Sequence, residues 1–304
     1  MRGNGRLRIV WLSLLALWLG AASLVAQEAI AEFELPSIPA VYRDPADRAK
    51  YLIEHYWDKF DVAHATVGQM TDQTEQAFAN YVDLSRHVEA KVACEAFVGL
   101  MRSAEGNKTF FRYLDGLFEK YLYDAYSPMR NESLYESVLE YLAESPVLDE
   151  VERIRPQRLL ALVRRNKVGQ VAQDFKFLDR QGGEYSLSSI EARRLLLFFY
   201  DPDCEDCQRT RENLSVSPVV SRQVAEGNLR VLAIYPYGDK ALWDDYAVHI
   251  PAEWQNGLDE NGQIMGDELY DLKRMPTLYL LDDGKQVLLK DVSVHDIEVY
   301  LLNH

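Results

Sequence analysis

Two of the three cysteines in this chain stand three residues apart, in the run Cys204-Glu205-Asp206-Cys207. The apolar run at 195–200 predicts a buried strand before them, and the pattern of 204–214 predicts a helix that begins at the pair. Cysteines spaced in this way at a helix start have sulfur atoms close enough to bond. The partial positive charge of the helix N-terminus favours the thiolate of the first. The pair therefore predicts thiol–disulfide exchange, with Cys204 as the attacking thiol and Cys207 as the resolving thiol.

Inert explanations of the pair fit the sequence less well. A zinc site needs two further ligands, yet the C-terminal half has no other cysteine, and its residues His249 and His295 are isolated. A disulfide that closes so short a loop adds little stability, because the entropic gain grows with loop length. We therefore expect no metal at the pair. The third cysteine, Cys94, falls on the apolar face of a predicted helix, where a free thiol packs as a small hydrophobe.

Four carboxylates surround the two cysteines in the chain: Asp201, Asp203, Glu205 and Asp206. Nearby negative charge disfavours a thiolate and so opposes the helix dipole. Arg209 is expected to pair with Glu205, four residues earlier, and to offset part of this charge. A poorly stabilised thiolate favours the disulfide form, which means a low reduction potential. The acidic flank thus predicts a reductant rather than an oxidant.

The elements that must position these thiols alternate between strands and helices. Apolar runs and turn signals predict strands at 175–178, near 185, and at 195–200, 229–235, 277–281 and 286–289, and helices at 204–214 and 294–302. This order is typical of an α/β layer fold.

A helical half precedes the α/β half. Apolar residues recur at helical spacing from about residue 44 to 166, with breaks at Gly106-Asn107, Ser127-Pro128 and Ser145-Pro146. The pattern predicts five or six amphipathic helices packed as a bundle or helical array. A polar joint at 164–170 separates the two halves. The length of 304 residues fits this division into two domains.

The composition is acidic, with 33 Lys and Arg against 48 Asp and Glu and a net charge of −15. Such a surface repels phosphate backbones, so we expect no nucleic-acid partner. Three cysteines are also too few for a disulfide scaffold.

The first 26 residues have the pattern of a secretory signal peptide. Three arginines precede an uncharged run at 9–26, which ends in small residues, and cleavage is expected after Ala26. The alternative is an uncleaved anchor, because this run lies at the lower limit for a membrane span. Export from a bacterial cytoplasm would place the protein in the oxidising periplasm, with no membrane span after cleavage.

The region 170–304 resembles the thioredoxin superfamily and, within it, the TlpA-like and AhpC/TSA-like periplasmic thiol–disulfide oxidoreductases. The resemblance is carried by the run from Tyr200 to Cys207 and by Met275-Pro276-Thr277, which matches the cis-proline loop of the family. The long spacing between Cys207 and Pro276 suits a thioredoxin domain with a central helical insertion. Residues 30–165 resemble a helical domain of unknown function that is fused to such modules in Bacteroidota secreted proteins.

The resemblance implies an α/β thioredoxin-like domain with a central insertion at 170–304, preceded by an all-α helical domain at 30–165 and a signal peptide at 1–26. It implies an enzyme that exchanges disulfides with protein substrates and receives electrons from a membrane or periplasmic donor. Cys204 and Cys207 would carry the electrons without a cofactor. Met275 and a cis Pro276 would contact the substrate peptide.

Some positions depart from the family pattern and leave other functions open. The Trp that usually precedes the motif is absent, and Thr210 stands where the TlpA class often has a Glu. One alternative is a binding module whose helical half engages a partner beside a weak or vestigial redox site. A lesser one is a thiol peroxidase, although such sites place Thr or Ser three residues before the attacking cysteine, where this chain has Asp201.

Overall fold

The computed structural model describes residues 33–304, and the first half of this part is helical. Its helices are α1 (Pro45–His55), α2 (Asp72–Leu84), α3 (Ala90–Ser103), α4 (Lys108–Leu122), α5 (Glu132–Glu144) and α6 (Glu150–Arg164). The three predicted breaks fall between α3 and α4, between α4 and α5, and between α5 and α6. The predicted signal peptide at 1–26 and the first residues of the predicted helical domain lie outside the described residues.

Polar side chains begin the helices where the sequence changes from loop to helix. Asn107 and Asn131 cap α4 and α5, because their side chains accept hydrogen bonds from backbone amides in the first turn. Asp149 and Glu152 form a capping box at the start of α6. These caps fix the residue at which each of the three helices begins.

The helices enclose an apolar core that is rich in aromatic side chains. Phe78, Phe97, Phe110 and Phe118 are fully buried in it. Cys94 is half-buried against this core, in the packing position that its place on α3 predicts. In the described part of the chain, no helix combines the length and apolar composition that crossing a membrane requires.

The second half is a seven-stranded sheet with helices. Its elements are β1 (Lys176–Leu178), β2 (Glu184–Ser186), β3 (Arg194–Phe199), α7 (Glu205–Val216), α8 (Pro218–Ala225), β4 (Arg230–Tyr235), α9 (Lys240–Tyr246), β5 (Gln255–Leu258), α10 (Gln263–Gly266), β6 (Thr277–Asp282), β7 (Val287–Lys290) and α11 (Val294–Asn303). The strand order is β2-β1-β5-β4-β3-β6-β7. This arrangement confirms the predicted fold class.

Strand β3 lies inside the sheet, and its continuous apolar sequence matches that position. It pairs in parallel with β4 and antiparallel with β6, so the sheet is mixed rather than purely parallel. Each face of the sheet carries its own apolar core. A strand covered on both faces needs apolar residues at successive positions, which explains the run at 195–200.

The segment between β4 and β6, where a central helical insertion is expected, holds helices α9 and α10 and also strand β5, which was not predicted. The apolar pattern missed β5 because the strand reads Gln-Asn-Gly-Leu, with two polar residues and a glycine. Gly257 is required there, since a Cβ atom would lie 2.5 Å from Cδ2 of Phe177 and 2.6 Å from Cδ1 of Ile234.

Candidate active site

The two cysteines lie where β3 leads into α7. Cys204 is the N-cap residue of this helix, and its Sγ accepts a hydrogen bond from the backbone N–H of Cys207 at 3.2 Å. The Cys204 side chain is half-buried, whereas Cys207 is fully buried. One sulfur is therefore accessible at a helix N-terminus, where negative charge is stabilised, and the other lies beneath it.

Cys207 is held in an apolar setting that keeps it protonated. Its burial, followed by its contact with Cys204, raises the pKa of the Cys207 thiol above the ordinary value of 9.0. The backbone N–H of Asp201 points to its Sγ at 3.5 Å. A neutral, buried second thiol is what a resolving cysteine requires until a mixed disulfide forms beside it.

The loop before β6 meets the cysteines from the other side. The peptide bond between Met275 and Pro276 is cis, and the Cys204 thiol donates to the Met275 carbonyl oxygen at 3.4 Å. The structure thus brings together the four residues singled out in the sequence: Cys204, Cys207, Met275 and Pro276. The carbonyl oxygen that faces the thiol belongs to Met275, the residue before the proline.

The acidic flank differs from the expectation in one ion pair. Arg209 pairs with Asp206, three residues earlier, rather than with Glu205. Positions three and four apart both neighbour a helical side chain, so either pairing was geometrically open. Asp201 is half-buried, and its carboxylate accepts the N–H of Asp203 at 3.0 Å. Its charge adds, after burial and Cys204, to the raised pKa of Cys207.

A cluster of tyrosines near the thiols was not predicted from the sequence. Tyr200 stacks on Tyr246 with ring centroids 5.5 Å apart, and its hydroxyl donates to Asn256 on β5 at 2.9 Å. Burial above all raises the pKa of Tyr237 and of Tyr246, and both cysteines contribute to the shifts. The chain has 18 tyrosines, so composition alone did not distinguish these.

A groove of about 360 Å³ runs beside the Cys204 helix. Arg209 and Asn213 of α7 line one wall, Arg274 and Pro276 line the second, and His295 at the start of α11 belongs to the third. Neither cysteine lines the groove, but Met275, whose carbonyl oxygen faces the Cys204 thiol, does.

Fold and site together define a thioredoxin-like protein. Residues 20–166 match the domain of unknown function DUF5106, and residues 168–289 match the AhpC/TSA family. A thioredoxin-like protein from Bacteroides caccae is 41% identical, with a TM-score of 0.83 over 90% of this chain and 98% of that one. The chain belongs to this family of thioredoxin-like proteins, in which a DUF5106 helical domain precedes an AhpC/TSA domain.

Other solved structures match less than half of this chain. The C-terminal domain of an uncharacterized protein from Bacteroides fragilis is 38% identical, with a TM-score of 0.45 over 45% of this chain and 98% of that one. The thioredoxin domain of a thiol-disulfide oxidoreductase from Bacteroides vulgatus is 17% identical, with a TM-score of 0.40 over 45% of this chain and 96% of that one. No curated protein matches the chain.

Proposed function

We propose that this protein is a thiol–disulfide oxidoreductase that reduces disulfides of protein substrates through Cys204 and Cys207. One observation carries the proposal. The accessible Cys204 sulfur lies at a helix N-terminus, accepts the Cys207 amide hydrogen, and faces the Met275 carbonyl oxygen at 3.4 Å. A nucleophilic thiol, a resolving thiol and a backbone contact for substrate are thus combined within one turn of helix and one loop.

The reaction proceeds in two exchange steps. The Cys204 thiolate attacks one sulfur of the substrate disulfide, a mixed disulfide forms, and the other substrate sulfur leaves as a thiolate that takes up a proton. Cys207 then loses its proton and attacks Cys204 Sγ, which releases the second substrate sulfur as a thiol. Two electrons pass to the substrate, and the protein is left with a Cys204–Cys207 disulfide.

The direction of exchange follows from the charge around the site. A strong oxidant of this chemistry owes its potential to a stabilised thiolate in the reduced form. Here Asp201 stands beside a buried Cys207, and Glu205 is exposed at the helix start. Both carboxylates disfavour added negative charge, so we infer a reductant. A partner dithiol, in the membrane or the periplasm, would then restore the reduced pair.

The location and the contact residues complete the proposal. The signal peptide at 1–26 would direct the protein to the periplasm, where disulfides form and persist. Met275 and Pro276 would bind the substrate peptide through backbone contacts at the groove. These assignments require no cofactor, because the two sulfur atoms hold the transferred electrons.

Reduction of insulin, a protein disulfide substrate, tests the proposal. The wild-type protein, supplied with a dithiol reductant, should accelerate insulin reduction, and Cys204→Ser should abolish the acceleration. Cys94→Ser is the matched control, because that cysteine lies in the helical core, away from the site. Full activity of Cys204→Ser would refute the proposal. In a Cys207→Ser variant the mixed disulfide should persist, so the captured protein can be identified.

A thiol peroxidase is the second candidate, favoured by the match of 168–289 to the AhpC/TSA family. Asp201 argues against it, because its carboxylate stands where such sites carry a hydroxyl side chain. Turnover of hydrogen peroxide at a rate above that of insulin reduction would support this second candidate.

A further inference from the structure

The chain that leads into the Met275–Pro276 loop is bound along its length by the helical region and the joint that follows it. The Arg165 guanidinium donates to the carbonyl oxygens of Asp267, at 2.7 Å, and Glu268. Asn166, which is buried, donates through Nδ2 to the carbonyl oxygen of Leu269 at 2.8 Å. This stretch therefore depends on contacts from outside the thioredoxin-like sheet.

Two residues before Met275, the same stretch ends in a buried charge cluster. The Lys273 side chain is 8% exposed and pairs with Glu132, the first residue of α5, and with Asp271 at 3.0 Å. The ring of Tyr123 lies 4.2 Å from the Lys273 ammonium, and its hydroxyl donates to Asp271 at 2.9 Å. Glu132 also pairs with Lys290, the last residue of β7, at 2.7 Å.

A third contact reaches the other wall of the groove. The guanidinium of Arg130 donates to the carboxylate of Asp291 at 2.5 Å and to its carbonyl oxygen at 2.6 Å. Asp291 is buried and has a φ of +49°, a conformation that a side chain rarely adopts without support. The next residues, 292–295, line the groove. Arg130 thus holds the backbone where this wall begins.

Buried charges permit few arrangements, because each must keep its partners or pay a desolvation cost. Glu132 is shared between Lys273, in the loop before Met275, and Lys290, the last residue of β7. Through Lys273 it acts on the segment before Met275, and through Lys290 it acts on the strand that leads to 291–295. A displacement of α5 would move both walls at once.

From these contacts we propose that the helical region is the scaffold that positions the substrate groove, with Glu132 as its central positioning residue. The inference rests on the proposed function and assigns a role to the helical region within it. Glu132 touches neither sulfur, so it acts on how tightly a protein substrate binds rather than on the exchange step itself. The rate of Cys204 alkylation and the reduction potential should therefore stay unchanged when Glu132 is altered.

A matched pair of variants on α5 tests this role. Glu132→Gln removes the shared carboxylate with little change of shape. Glu136→Gln is the control. The Glu136 side chain is 16% exposed, against 19% for Glu132, so the two carboxylates are similarly buried. Glu136 also pairs with two cations, Arg164 and Lys167, but neither of these lines the groove. With insulin as substrate, the KM of Glu132→Gln should rise about five- to tenfold at unchanged kcat, whereas Glu136→Gln should keep the wild-type KM.

A second measurement separates this inference from the proposed function. Amide hydrogen exchange in 271–277 and 291–295 should be faster in Glu132→Gln than in Glu136→Gln. Equal exchange in the two variants, or an equal KM, would overturn the scaffold role. A wild-type protein that reduces no disulfide would overturn the proposed function, and the exchange comparison would still decide whether the helical region holds the loops.

Tyr123→Phe is a milder variant of the same cluster, and it tests the proposal even if Glu132→Gln does not fold. This change removes only the hydroxyl that binds Asp271 and leaves the ring beneath Lys273. Its KM and exchange rates should move in the same direction by a smaller factor, about two- to threefold. Wild-type values for both quantities would contradict the proposal.

Discussion

The Sγ atom of Cys204 lies 3.4 Å from the carbonyl oxygen of Met275, although 71 positions separate the two residues in the chain. The contact joins the start of α7 to the loop before β6, which are neighbours only because β3 and β6 pair in the sheet. The cysteine pair at a helix N-terminus and a backbone acceptor are thereby placed at one edge of the fold.

The two cysteines of the pair should differ sharply in reactivity. In a Cys94→Ser background at neutral pH, iodoacetamide should modify Cys204 and leave Cys207 thiol free, with rates that differ by more than about tenfold. The cause is the complete burial of Cys207, which also raises its pKa. Peptide mapping by mass spectrometry measures both rates. In urea the two rates should converge, and similar rates in the folded protein would contradict the assignment of roles.

The carboxylate of Asp201 should lower the reduction potential. Burial and Cys204 contribute more to the raised pKa of Cys207, but Asp201 adds to it. Asp201→Asn should therefore stabilise the dithiol form and raise the potential by about 10–30 mV. Equilibration with glutathione gives the value. Asp203→Asn is the control, because that carboxylate is exposed and screened by solvent, and its shift should be smaller.

The wild-type potential itself tests the direction of exchange. A value more negative than about −200 mV is expected, whereas a strong oxidant of this chemistry lies near −120 mV. The same glutathione equilibrium measures it. A more oxidising value would mean that the four carboxylates do not disfavour the reduced form and that the inferred direction is wrong.

Local signals in the sequence pointed to the residues of the candidate site, which the structure places together, and to most strands. The spacing of Cys204 and Cys207, the apolar run of β3 and the Met275-Pro276-Thr277 motif each reflect a requirement that one short segment satisfies alone. The helix caps at Asn107 and Asn131 are of the same kind. Such features are readable because their physical cause lies within a few residues.

Features that depend on distant partners were not readable. Strand β5 carries little apolar signal, because two of its four residues serve distant neighbours. Asn256 accepts a hydrogen bond from the Tyr200 hydroxyl, and Gly257 leaves room for the ring of Phe177. The choice of Arg209 between two acidic neighbours was decided by side-chain geometry. The link between Glu132 and Lys273 spans 141 positions, and nothing in either segment marks it.

Acid should remove the stabilising contribution of Glu132. Burial alone would raise its pKa, but Lys290 and Lys273 outweigh burial and hold the pKa below the ordinary value of 4.5. A carboxyl group with a lowered pKa in the folded state stabilises the protein above its unfolded pKa, and this stabilisation is lost as the pH falls through the folded pKa. The stability difference between wild type and Glu132→Gln should thus be constant near neutral pH and shrink below about pH 4.5.

Urea unfolding at several pH values measures this difference. At pH 7 the variant should lose about 3 kcal/mol, because buried Lys290 loses its carboxylate partner and Lys273 keeps only Asp271. Glu136→Gln should lose less, since Arg164 and Lys167 are about half and one third exposed and can be solvated. A difference between wild type and Glu132→Gln that does not depend on pH would show that the carboxylate contributes no charge to the cluster.

Strand β5 should tolerate no side chain at Gly257. In Gly257→Ala the new methyl group would meet the ring of Phe177 and the side chain of Ile234, at distances that real Cβ atoms do not show. Both neighbours are fixed in the sheet core, so the variant should lose about 1–3 kcal/mol of unfolding free energy. Gly116→Ala in α4 is the control, because nothing lies within 4 Å of the Cβ position at Gly116. Alanine is the better helix former, so this variant should gain about 0.5–1 kcal/mol of unfolding free energy. Urea denaturation compares the two, and equal stabilities would mean that β5 can shift away from its neighbours.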